Sequence, residues 1–408
     1  MSVEPTVLVI GGGATGTGIA RDLALRDVDV MLVERGGLGS GTTGRSHGLL
    51  HSGARYADSD AQGASDCLAE SQTLRGIAGE CIRETGGLFV RLDSDDPEYF
   101  DAKRRACEKI GIQTDRLDGD TARERIPGLA DSVAEAFRVP DGVIFPSRLV
   151  AANAADAAAH GGTICPQTPV AEIDVGAGGV ETVHLGGAAE KSVTPDCVIN
   201  AAGAWAGEIA GMAGVTVGMA PSRGVMVSLE YDRLDPVLNR CREPSDGDIL
   251  VPHNGAVVAG TTSVPVSTPD DYETAEWEVE QTIEECAAMV PAVAEATERR
   301  RWWGVRPLYA PDETGTDRRG ISRGFTVLDH GEDGVSNFYS VVGGKLTTYR
   351  KMAAVTSDRV CEYLGVDEPC TTGEKQLRGA DDPERLDAFV DRYGGPNPTD
   401  TDVHGTSD

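Results

Sequence analysis

"TVLVIGGGATGTGIARDLALRDVDVMLVE", residues 6–34, is the stretch from which the fold can be read. Its first five residues form a short β-branched apolar run, suited to a strand buried on both faces. Glycines follow, then Ile19, Leu23 and Leu25 at helical spacing. A second apolar run, 28–34, ends on an acid. Strand, glycine turn, helix and strand within about 30 residues make one βαβ unit. Gly11, Gly13 and Gly16 spell G-x-G-x-x-G in the turn, and Glu34 lies about 20 residues further on. Gly11 permits the tight turn, Gly13 lets the backbone approach a pyrophosphate, and Gly16 lets helix and strand pack closely. Glu34 is placed to accept from a ribose 2′-hydroxyl. A bare glycine motif is weak, but with strand, helix and acid all in place it reads as dinucleotide binding.

The same plan recurs twice. "CVINAAGAWAGEIAGMAG" (197–214) is strand, small-residue turn at Ala201 to Gly203, then helix. "YSVVGGKLTTYRKMAAVTSDRVCEYLG" (339–365) is strand, glycine pair, helix. Helix N-termini concentrate N–H groups and positive dipole, so each is an anion seat. Three converging seats suit a long dinucleotide with a ring system. Between the first two units, "GSGTTGRSHGLLHSGARY" (39–56) is too long for a mere connector. Its small hydroxyl residues and amides suit a pyrophosphate and an isoalloxazine edge, which favours FAD over NAD. Gly343, Gly344 and Lys345 do not make a P-loop. Tyr339 stands where its first glycine is needed, and Leu346 where Ser or Thr is needed.

The chain's 408 residues are enough for two or so packed domains. No apolar run approaches the ~20 residues of a membrane helix, and the start does not read as a signal peptide, so a cytoplasmic protein is expected. Net charge is −29, with 66 acidic and 37 basic residues. Such density destabilises a compact state unless salt screens it, so a halophile's cytoplasm is the plainest source. The charge also argues against nucleic-acid partners. Nine scattered cysteines show no CxxC and no metal spacing, and small buried thiols are expected, with no metal site.

Lysine is scarce, six in all, yet Lys345 and Lys351 flank Arg350 in one stretch. Arg55, Arg306 in "WWGVRPLY" and Arg323 in "ISRGF" are further candidates. Each alone fits a surface ion pair; gathered with a lysine at one cavity they would hold a phosphate dianion by bidentate hydrogen bonds. His51 is the histidine nearest the presumed flavin loop. It is suited either to take a hydroxyl proton or simply to bond within the loop.

"IGGGATGTGIARDLALR", "GRSHGLLHSGARYA", "VPDGVIFPSRL", "VINAAGAWA", "NRCREPSDGDILVP", "GTTS", "GVRPL", "SRGFTVLDH" and "GGKLTTYRKMA" occur in this order over about residues 6 to 370. On these stretches the chain resembles the FAD-dependent glycerol-3-phosphate dehydrogenases, most closely the catalytic A subunit of the anaerobic three-subunit type. The resemblance implies oxidation of sn-glycerol 3-phosphate to dihydroxyacetone phosphate, with electrons passed to partner subunits and membrane quinone. It implies a place in the cytoplasm or, through those subunits, on the cytoplasmic face of the membrane. It places substrate contacts on Arg55, Tyr56, Thr262, Arg306, Arg323 and Lys345. Of the catalytic set His51, Arg306 and Lys345, His51 is the first candidate for the base by its position, with Lys345 or a water as the alternatives. It places flavin contacts on Gly11, Gly13, Ala14, Thr15, Gly16, Glu34, Arg35, Thr42, Thr43 and Ser46. Further contacts fall on Val170, Ala202, Gly203, Trp205, Gly343, Gly344, Leu346 and Thr347. Longer members of this type continue into a cysteine-rich module suited to an iron–sulfur cluster, whereas the present chain ends in a polar tail.

The implied fold is α/β: an FAD-binding Rossmann-like domain of the glutathione-reductase/D-amino-acid-oxidase type, with a second α+β substrate domain on an antiparallel sheet. The FAD domain is expected in three segments, 1–90, 146–220 and 321–370. The substrate domain is expected from 91–145 and 221–320, and 371–408 as a disordered tail. Two alternatives stay open: a related flavoenzyme that uses arginine for the carboxylate of a 2-hydroxy or amino acid, and a non-catalytic flavin-binding subunit.

Overall fold

A computed structural model of the protein describes residues 4–310, 324–394 and 399. The opening run forms β1 (Val7–Ile10), the glycine turn leads into α1 (Ala14–Leu25), and β2 (Val30–Val33) follows. Later segments add β3 (Thr163–Cys165), β4 (Cys197–Asn200), β5 (Phe325–Asp329) and β6 (Phe338–Gly343). The six form one sheet in the order β5-β6-β4-β1-β2-β3. Neighbours are parallel except for the β5–β6 hairpin. β1 lies between β2 and β4, with Val7 opposite both Val30 and Cys197. All four of its residues are buried, which is why the run is continuously apolar rather than alternating.

Four further helices matter below: α2 (Pro146–Ala159), α3 (Glu276–Ala287), α4 (Tyr349–Leu364) and α5 (Pro383–Tyr393). α1 packs against α2 and α4. Small residues set the spacing: a Cβ on Gly18 would stand 3.0 Å from the Tyr349 ring. Arg21, buried in α1, donates to Asp156 of α2 at 2.7 Å and to the carbonyls of Thr372 and Lys375.

The described part of segment 371–408 departs from the expected disorder. Leu386, Val390 and Tyr393 of α5 are buried in the core of the first sheet. Asp387 pairs with Arg148 of α2 at 2.8 Å, and the Leu38 amide donates to the Tyr393 carbonyl. The polar composition concealed an amphipathic helix.

A second, nine-stranded sheet draws on Gly87–Leu92, Asp115–Asp118 and Val133–Val139, and on six strands between 222 and 306. It is antiparallel except where Val237–Arg240 runs parallel to Gly87–Leu92. α3 packs across the strands Ser222–Leu229 and Ala256–Gly260, and Val279 and Cys286 join that core. Two bonds stitch the loop that follows β2 to this sheet. The Thr42 hydroxyl donates to the Val305 carbonyl at 2.6 Å, and Trp302 Nε1 donates to the Arg45 carbonyl at 3.1 Å. All nine cysteines are free, seven of them buried. Among the described residues, no helix is long and apolar enough to cross a membrane.

Candidate active site

The C-terminal ends of β1, β2, β4 and β6 open onto a cavity of about 580 Å³. The glycine turn shapes its wall. Gly11 has φ +115°, and a Cβ there would stand 2.5 Å from the Ala201 carbonyl oxygen. A Cβ on Gly16 would lie 1.9 Å from the Gly11 oxygen, so Gly16 serves the close packing of α1 behind the turn. Gly13 faces the cavity, where a side chain would crowd the Thr43 hydroxyl at 3.1 Å. Glu34 is held by the Gly12 and Gly36 amides at 2.7 and 2.8 Å. A carboxylate accepts about four hydrogen bonds, so it keeps capacity for a ribose hydroxyl.

The structure brings nearly all the expected cofactor residues to this one cavity, although they come from four distant stretches. Ala14, Thr15, Thr42, Thr43 and Ser46 line it beside Val170, Ala202, Gly203, Gly343, Gly344 and Leu346. Arg35 and Trp205 line it as a stacked pair, the guanidinium 4.3 Å from the ring centroid. Arg35 also pairs bidentately with Asp270, a wall residue from the second sheet's loops that sequence reasoning missed. That pairing holds the Asp270 carboxyl below its usual range. Gly16 and Thr347 are absent from the lining. Thr347 is buried, and its hydroxyl accepts from the His51 amide at 3.0 Å, so it fixes the loop carrying His51.

A smaller chamber of about 150 Å³ shares its wall with the first at Thr42, Ser46 and the Gly343–Leu346 turn. His51, Tyr56, Arg306 and Lys345 meet here. Lys345 Nζ lies 4.5 Å from the centre of the Tyr56 ring, and the His51 ring is 5.3 Å from the same ring. Arg306 donates to the Arg223 and Thr262 carbonyls at 3.2 and 2.8 Å. His47, missed in the sequence, also faces the chamber. Its Nδ1 is buried with no hydrogen-bond partner among the described residues. Burial, with the charges of Arg55 and Arg306 nearby, pulls it down to about 3, so it is neutral at physiological pH. The available signal was a second histidine four residues before His51 in the same loop.

Two expected substrate contacts stand elsewhere, and a third is not among the described residues. Arg55 turns to Asn239 at 3.4 Å and Asp248 at 3.7 Å, behind the chamber wall. The Thr262 hydroxyl is fully buried and donates to Glu278 at 2.8 Å. Arg323 lies outside the described residues. Arg350 and Lys351, the other cations of that stretch, pair with Glu70 and Asp66 across the helix 61–77.

Residues 6–350 match the family model described as FAD dependent oxidoreductase, the class this fold and cavity define. The chain is 47% identical, over 98% of its length and 70% of the relative's, to the A1 subunit of the anaerobic glycerol-3-phosphate dehydrogenase of Haloferax volcanii. It is 42% identical to the A subunit of the Escherichia coli K12 enzyme, over 94% of this chain and 72% of that one. The solved glycerol-3-phosphate dehydrogenase of Bacillus halodurans, complexed with FAD, superposes with a TM-score of 0.71 at 24% identity. That likeness covers 96% of this chain and 71% of the other and speaks to the fold. The chain belongs to the FAD-dependent oxidoreductase family and, within it, to the A subunits of anaerobic glycerol-3-phosphate dehydrogenase. The residues present fit FAD: a glycine cradle that a Cβ would fill, an acid at the end of β2, and one larger cavity lined by all three glycine turns, with the small chamber beside it left for a substrate.

Proposed function

We propose that the chain oxidises sn-glycerol 3-phosphate to dihydroxyacetone phosphate. One observation carries the reading: Arg306, Lys345, His51 and Tyr56 converge on a small chamber that adjoins the dinucleotide cavity. Bound FAD supplies a hydride acceptor at flavin N5. Arg306 and Lys345 take the substrate's phosphate, with Arg323 as a further candidate. Fixing the phosphate holds C2–H in line for transfer, and such positioning supplies much of the rate. His51 takes the C2 hydroxyl proton as the hydride leaves C2, so the carbon gains its second C–O bond and charge balances. His47, held neutral, offers a hydrogen bond to a substrate hydroxyl rather than a competing charge. Lys345, on the turn shared by both cavities, also stabilises negative charge on the reduced ring.

Electrons then pass to other members of the complex and to membrane quinone, which places the chain on the cytoplasmic face of the membrane through those partners. Support for this step is that the relatives are named as one lettered component of a larger enzyme.

The test is anaerobic and optical. Add sn-glycerol 3-phosphate, without an acceptor, to the FAD-loaded protein in molar KCl. Bleaching of the oxidised-flavin band near about 450 nm is the expected result. A flavin spectrum that stays unbleached overturns the substrate assignment.

A further inference from the structure

Glu278 is a fully buried carboxylate that α3 carries into the second sheet's core. A buried carboxylate is tolerated only with fixed partners. One oxygen accepts from Arg223 Nη2 at 2.5 Å, and the other accepts from the Thr262 hydroxyl at 2.8 Å. Arg223 and Thr262 then present their backbone carbonyls to a single guanidinium, that of Arg306, at 3.2 and 2.8 Å. The two routes from Glu278 therefore end on the same group.

The strands explain the convergence. Ser222 faces Arg306 across an antiparallel pair, and Thr262 lies just past the strand Ala256–Gly260 on the other side of Ser222–Leu229. Arg306 crosses Gly224, where a Cβ would stand 2.7 Å from its Nη2. Thr262 Oγ1 also accepts from the Val225 amide at 3.1 Å, so its rotamer is set from two directions.

We propose that Glu278 is a positioning residue for the substrate's phosphate, acting through Arg223 and Thr262 on Arg306. It touches no substrate. By fixing one side chain each of Arg223 and Thr262, it steadies two carbonyls that, together with the Thr261 hydroxyl accepting from Arg306 Nη2 at 3.1 Å, aim the guanidinium into the chamber. The proposal rests on the reading of Arg306 as a phosphate ligand.

The experiment is a double-mutant cycle on the FAD-loaded full chain, read by anaerobic flavin reduction. Glu278→Gln keeps the shape and removes the charge and one acceptor. It is expected to raise the half-saturating glycerol 3-phosphate concentration about ten-fold, with the limiting reduction rate and FAD content little changed. In an Arg306→Ala background it is expected to add nothing, since its whole effect passes through that residue. Additive effects, or an unchanged half-saturation, overturn the positioning role. If Glu278→Gln does not fold, Thr262→Val breaks one of the two routes and faces the same criteria with a smaller rise. A wild type that is not bleached, or an Arg306→Ala variant with normal half-saturation, overturns the substrate reading and this role with it.

Discussion

Arg306 and His47 show how differently two residues of one chamber are set. Arg306 is aimed by carbonyls, which leave the guanidinium charged and directed. Its loss removes charge-assisted bonds, so Arg306→Ala is expected to lower kcat/KM about ten- to hundred-fold, through KM, with FAD content intact. Steady-state kinetics beside a flavin-to-protein ratio check this, and an unaltered KM removes Arg306 from the site. His47 makes a prediction about pH. It binds its proton near 3 in the fold, against an ordinary value of 6.5. Between those values the unfolded chain holds more protons, so the site's contribution to stability is complete above about 6.5 and falls as pH drops toward 3. His47→Gln should therefore lose melting temperature less steeply than the wild type between pH 7 and 4.5. Parallel curves would contradict the shift.

At the scale of elements, legibility followed the range of the forces. α1 and its turn were readable because the glycines, the apolar periodicity and Glu34 all act within one βαβ unit. Gly16→Val is expected to abolish FAD retention, since any Cβ there meets the Gly11 carbonyl at 1.9 Å. A yellow, folded variant would refute the assigned turn. α5 had local signals too. Asp382 caps it by accepting from the Arg385 amide, Pro383 opens it, and Gly394 ends it. Its surrounding Gly, Pro and Asp outweighed them in a compositional reading. Leu386 is fully buried in α5, so Leu386→Ala should destabilise the protein by about 2–4 kcal/mol in urea unfolding. A change under about 0.5 kcal/mol would mean that the helix does not dock.

The whole molecule carries its net charge of −29 as a field that no single pair offsets. Ionic screening relieves that self-repulsion, so the melting temperature should rise from millimolar to molar KCl. Equal melting temperatures would reject the salt-adapted reading. The dinucleotide class, the three glycine turns and the family were legible in the amino-acid order alone, because they depend on short runs whose residue types have few other uses. The same order nominated Arg306, Lys345, His51 and Tyr56, which do meet. It took the folded arrangement to separate the chamber's lining from its supports. Thr347 and Thr262 turned out to hold other groups, Arg55 turned to Asp248, and Glu278 and His47 entered the site's surroundings from outside the expected set. Which way a polar side chain points depends on the partners brought by distant strands, and one-dimensional spacing carries no information about those partners.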